Sequence, residues 1–226
     1  MKNRYNYEQL IDTIMSNLLI ALCVLMPVAL YGLLFYLMLP KYSVLAKHAP
    51  LFYVMGLVTV GLIRFFISMF PMLGMPIADD IWGLLIQQYL QVAFIEELFK
   101  LIMFAFALRY YPNAGTAALM FMYLSIGAGF AVLENFQYVA FVGSDILFGR
   151  QLSATLVHLA TGAVGGYFYG KNKWFGLAIA VGLHGSYNFI GMATGSIYGL
   201  ASGVALCLLS AGACLWSLYN KKTPRP

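Results

Sequence analysis

Charge is scarce in this chain: Asp, Glu, Lys and Arg make up 9% of its 226 residues. An ordinary soluble domain carries about a quarter. A chain this poor in charge does not make a conventional water-soluble fold. Cysteine is scarce too. Cys23, Cys207 and Cys214 fall in apolar runs, with no paired spacing and no nearby histidine. They read as small buried hydrophobes and argue against thiolate metal ligation. No arginine-rich or aromatic-interleaved stretch is present, so nucleic acid is not an expected partner. The net charge of +5 sits mostly in loops and at the C-terminus, where it suits topology and lipid headgroups.

What is abundant is hydrophobicity, at 62% of residues. A transmembrane helix needs about 20 apolar residues. Seven candidates run near 17–39, 51–73, 82–108, 114–141, 151–170, 174–193 and 197–219. The expected fold is therefore all-α, a polytopic transmembrane helical bundle of about seven spans. No internal repeat or soluble domain interrupts it. Residues 1–226 read as a single integral membrane domain in the lipid bilayer, with the site-bearing helices within 82–193. The first apolar run is too long for a cleavable signal and reads as a retained span. The boundary between spans six and seven, at Ala193 to Ser196, carries no charge. Glycines such as Gly127, Gly129, Gly162, Gly166 and Gly185 predict the closest packing among spans four, five and six.

Basic residues orient the bundle. Lys41, Lys47, Arg109, Lys171, Lys173, Lys221, Lys222 and Arg225 fall on one side. Lys2, Arg4 and Arg150, with acidic Asp79, Asp80 and Asp145, fall on the other. The first side is expected to be cytoplasmic, with the C-terminus, in a membrane best matched to the bacterial cytoplasmic membrane.

Against this apolar background, Arg64, Glu96, Glu97, Lys100 and Glu134 sit inside expected spans, as do His158 and His184. Ionisable groups at membrane depth are costly and usually mark a pathway or a reaction site. Helical rise puts Glu96, Glu97, Glu134, His158, His184 and Asn188 at similar depth on four successive spans. That predicts one polar cavity. Glu134, His158 and His184 offer two imidazoles and a carboxylate, a common ligand set for a catalytic Zn2+. Glu96 or Glu97 can serve as general base, and the i+4 pairing with Lys100 favours Glu96. Asn188, one turn from His184, suits an oxyanion donor. Arg64 reads as a bundle-facing or snorkelling residue, or as a counter-charge to the site.

The same residues fall into motifs. Glu96-Glu97-Leu98-Phe99-Lys100 is E-E-x-x-K, Phe130 to Glu134 is F-x-x-x-E, His158 heads H-x-x-x-G and His184 heads H-x-x-x-N. Their order, one per successive span, resembles the PrsW family of membrane-embedded proteases. Type II CAAX prenyl endopeptidases differ, with arginine where this chain has Leu101 and histidine where it has Glu134. The resemblance implies a membrane-embedded, zinc-dependent endopeptidase acting on a membrane-anchored protein such as an anti-sigma factor. A metal-free glutamate mechanism stays open. So does the rival class, a proton- or ion-coupled transporter using the same buried groups. Against the rival stand the absence of an inverted repeat and of proline in the site-bearing spans.

Overall fold

The computed structural model describes residues 48–142 and 147–220, except Pro76 and Ala78, with scattered positions between Tyr7 and Tyr36. Most of the expected span at 17–39, Cys23, and the charges Lys2, Arg4, Lys41, Lys47, Asp145, Lys221, Lys222 and Arg225 lie outside the described residues. So does the side chain of Arg150.

Helix α1 (Ala49–Met69) has Pro50 in its first turn, where a missing N–H costs nothing. It stops at Phe70, ahead of Pro71, whose ring disfavours helical backbone before it. A 3-10 turn, Pro71–Gly74, follows. Asp80 then caps α2 (Ile81–Ile86), its carboxylate accepting from the Gly83 amide at 2.6 Å. The backbone continues through a π-helical stretch, Gln87–Phe94, directly into α3 (Ile95–Leu108).

Helix α4 (Thr116–Val142) is the central element. Over its most apolar stretch 78% of residues are buried, against 33% for α1. Helix α5 (Leu147–Thr194) breaks at Asn172, where φ is −156° and ψ 105°. It is two helices, α5a (147–171) and α5b (173–194). Asn172 itself caps the second, its Oδ1 accepting from the Trp174 and Phe175 amides at 3.0 and 3.1 Å. The three-residue connection expected at Lys171–Lys173 is thus a single residue.

Gly195, at φ +56°, ends α5b in the left-handed conformation that glycine tolerates best. Ser196 opens α6 (Ile197–Asn220), its hydroxyl accepting from the Gly199 amide at 3.2 Å. The uncharged boundary at 193–196 is therefore a real helix break. Cys207 and Cys214 on α6 are free and buried, packed with Val164, Tyr167 and Leu183.

Among the described residues there is no strand. Three helical stretches, Ala49–Met69, Thr116–Tyr138 and Ile197–Ser217, are long and apolar enough to cross a membrane. The rest of the bundle carries most of the polar groups of the site described next, while Glu134 lies on one of these three stretches. Large hydrophobic side chains cover the outside, among them Val54, Phe65, Leu209 and Trp216. A surface this apolar suits lipid rather than water.

Close backbone approach locks α4 against its neighbours. A methyl group on Gly127 would overlap the carbonyl oxygen of His158 on α5a. A methyl on Gly129 would overlap that of Tyr53 on α1. Small residues at helix crossings allow this approach.

Candidate active site

Four helices deliver polar groups into the middle of the bundle. The first turn of α3 contributes Glu96 and Glu97, with Lys100 one turn on. Glu134 comes from α4, His158 from α5a and His184 from α5b. Glu97, Lys100, Glu134, His158 and His184 are all buried.

Glu97 is the hub. Its Oε1 accepts from Lys100 Nζ at 2.8 Å, from His184 Nδ1 at 2.9 Å and from Thr161 Oγ1 at 3.4 Å. Its main-chain carbonyl accepts from the Tyr123 hydroxyl at 3.3 Å. Lys100 also donates toward His158 Nδ1 at 3.0 Å and lies 4.0 Å from the centre of the Phe130 ring. A fully buried carboxylate and ammonium persist because each has several partners.

On the far side of the two rings lie the other carboxylates. His158 Nε2 bonds Glu134 Oε2 at 2.6 Å, and His184 Nε2 stands 3.8 Å from Glu96 Oε2. The ring centres are 4.9 Å apart and the rings nearly perpendicular, at 89°. Glu96, His158 and His184 each offer one ligand atom, and these atoms lie within 4.8 Å of one another. Glu96 Oε2 is buried and has no hydrogen-bond partner among the described residues. A buried carboxylate oxygen without a donor calls for a cation or a proton. The donor set, two imidazoles and a carboxylate, fits a metal ion.

All six expected site residues line this region, in a different grouping from the one expected. The carboxylate gathered with both histidines is Glu96. Glu134 instead lines two cavities, as do Val92 and Tyr138. One, of about 160 Å³, is also lined by Glu96, Arg64, Gln91, Gln137 and Tyr138. The other, of about 260 Å³, is lined by Asn188, Gln87, Gln88, Tyr187 and Met192. Asn188 thus shares a cavity with Glu134, one turn from His184. Arg64 donates from Nε and Nη2 to Gln137 Oε1 at 2.9 and 2.8 Å. Its side chain is exposed and borders the first cavity.

Sequence reasoning missed the amides. Gln87, Gln88 and Gln91 all lie in the π-helical stretch, and all line a cavity. Single-turn π segments inside α-helices recur at functional sites. Three glutamines in five residues of an apolar span (87–91) were the available signal.

A buried carboxylate–imidazole cluster inside an all-helical, lipid-suited bundle fits an integral membrane protein with a candidate site in its interior. The profile of the "PrsW family intramembrane metalloprotease" family matches residues 46–215, about three quarters of the chain, and the chain belongs to that family. Protease PrsW of Oceanobacillus iheyensis is 29% identical over 119 residues, 48% of this chain and 55% of that one. Protease PrsW of Shouchella clausii is 29% identical over 113 residues, 45% of this chain and 53% of that one. Protease PrsW of Bacillus subtilis is 36% identical over 77 residues, 29% of this chain and 35% of that one. The chain spans about half the length of the first two relatives. No solved structure matches it.

Proposed function

We propose that this protein is a metal-dependent intramembrane endopeptidase that cleaves a membrane-anchored protein. The observation that carries the reading is the convergence of Glu96, His158 and His184 within 4.8 Å, beside a fourth group, Glu134, that borders two cavities. A proton relay would use the same buried groups but does not call for three of them gathered at ligand distance beside two cavities. Metal-assisted hydrolysis needs a site that binds a cation, a base beside it, and room for substrate.

Glu96, His158 and His184 would hold a Zn2+ ion, which when bound supplies Lewis acidity and a nucleophile at neutral pH. Glu97 is the positioning carboxylate. By accepting from His184 Nδ1 it leaves the Nε2 lone pair directed at the site, the usual role of an outer carboxylate at a metal centre. Glu134 is the general base. It lines both cavities, so a peptide bound across them would pass its carboxylate. It takes the proton of the attacking water and returns it to the leaving amine. Asn188, in the second cavity, offers its amide N–H to the developing oxyanion. This exchanges the roles that spacing alone suggested for Glu96 and Glu134.

The rest of the reading is topological. Residues 1–226 form one membrane domain of about seven spans, with the site in 82–193 and the C-terminus cytoplasmic. A bacterial cytoplasmic membrane suits the relatives' sources. An anti-sigma factor is the substrate type that the motif resemblance implies.

The test uses purified protein in lipid nanodiscs, with metal content and cleavage of a panel of single-span membrane proteins read together. Near-stoichiometric zinc, lost in the His158→Ala, His184→Ala double variant along with cleavage, is the expected result. Cleavage that survives in a folded His184→Ala variant would overturn the metal assignment. Ion flux in liposomes without any cleavage would overturn the protease reading.

A further inference from the structure

Arg64, whose side chain is exposed at the edge of the bundle, is a charged residue that the mechanism leaves without a task. It lies on α1 (Ala49–Met69), a helix long and apolar enough to cross a membrane. Its guanidinium holds Gln137 Oε1 through Nε and Nη2. Gln137 is a neutral amide, so this contact orients the charge without neutralising it. Among the described residues Arg64 makes no ion pair.

Its surroundings point to what meets it. Arg64 lines the same cavity of about 160 Å³ as Glu96 and Glu134. Gln91 lines that cavity too, and its Oε1 is buried with no hydrogen-bond partner among the described residues. The cavity therefore holds an orphaned acceptor and an unneutralised, oriented cation, next to the reacting groups. A peptide supplies both missing partners. Its backbone N–H can donate to Gln91, and a side-chain carboxylate can pair with the guanidinium through paired N–H···O bonds. A lipid phosphate could satisfy Arg64 but has no donor for Gln91.

We propose that Arg64 and Gln91 form a specificity subsite that selects substrates carrying an Asp or Glu beside the cleaved bond. The proposal rests on the protease reading for its substrate, though the subsite can be tested by binding alone. An acidic side chain entering a membrane-embedded cleft loses hydration, and Arg64 restores an interaction for it. A basic side chain there meets the guanidinium as a like charge and is rejected.

The experiment uses the full chain in nanodiscs of zwitterionic lipid. Two fluorescent apolar peptides, identical except for a single Asp or Lys, are compared by anisotropy. Wild-type protein is expected to bind the Asp peptide about tenfold more tightly. Arg64→Glu is expected to reverse that ranking, and Arg64→Lys to keep it. Equal binding by wild type, or a ranking that Arg64→Glu does not move, overturns the proposal. A change confined to retained anionic lipid also overturns it and makes Arg64 a headgroup contact. Where the peptides are cut, Arg64→Glu should raise KM for the Asp peptide far more than it lowers kcat. Preserved ranking with no cutting by wild type would sink the protease reading and leave the subsite standing.

Discussion

His158 and His184, with ring centres 4.9 Å apart, are held in opposite tautomers. Nδ1 of His184 faces a carboxylate, Glu97, and so donates in the neutral ring. Nδ1 of His158 faces an ammonium, Lys100, and so accepts. One ring therefore presents a lone pair at Nε2, while the other presents an N–H that Glu134 accepts. Nitrogen-15 NMR of metal-free protein labelled at histidine should resolve the two forms, assigned with single-histidine variants. Adding zinc should change the His158 signals and leave the His184 tautomer as it was. Identical tautomers in the metal-free protein would contradict the arrangement.

Glu96→Gln and Glu134→Gln should part company. If Glu96 is a ligand, its amide variant loses most bound zinc along with cleavage. If Glu134 is the base, Glu134→Gln keeps zinc but loses roughly 10²–10⁴-fold in rate. Metal analysis beside a kinetic assay separates the two. Retained zinc in Glu96→Gln and lost zinc in Glu134→Gln would restore the roles read from spacing.

The Glu97–Lys100 pair should matter to stability as much as to activity. Glu97→Ala leaves Lys100 buried and uncompensated, at a cost of about 3–5 kcal/mol. The double variant Glu97→Ala, Lys100→Met should recover much of that stability and none of the activity. Thermal unfolding in detergent measures the first, and a cleavage assay the second. A Glu97→Ala protein as stable as wild type would mean that the pair is not structurally coupled.

Two positions outside the polar cluster should also be sensitive. Gly127→Ala forces α4 away from the His158 carbonyl, because backbone cannot yield as a flexible side chain can. Activity should fall with all polar residues intact, and zinc affinity with it. Asn172→Ala removes the cap of α5b and should cost about 1 kcal/mol. Its effect on zinc affinity should be slight, since His184 lies three turns further on.

Much of this arrangement was legible before any coordinates. The spacing of Glu96, Glu97 and Lys100 put them within one turn, and helical rise put four spans' polar groups at one depth. The weak boundary at 193–196 carried its signal in Gly195 and Ser196, a left-handed stop followed by a cap. Which carboxylate meets the histidines was not legible. Glu96 and Glu97 are neighbours on α3, so their facing depends on how that helix is rotated, and rotation is set by packing. The π-helical stretch just before them leaves no trace in apolar spacing. The Arg64–Gln137 contact joins residues 73 positions apart, beyond any local pattern.

The π-helical stretch at Gln87–Phe94 has a consequence for how a site built in this way can diversify. A wider helical turn changes the angular offset between the segments on either side of it. The segment that lines the cavities can be re-aimed about the axis while the segment bearing Glu96 and Glu97 keeps its bearing on the histidines. Substrate choice can then drift by a change of angle, with the reaction centre left undisturbed.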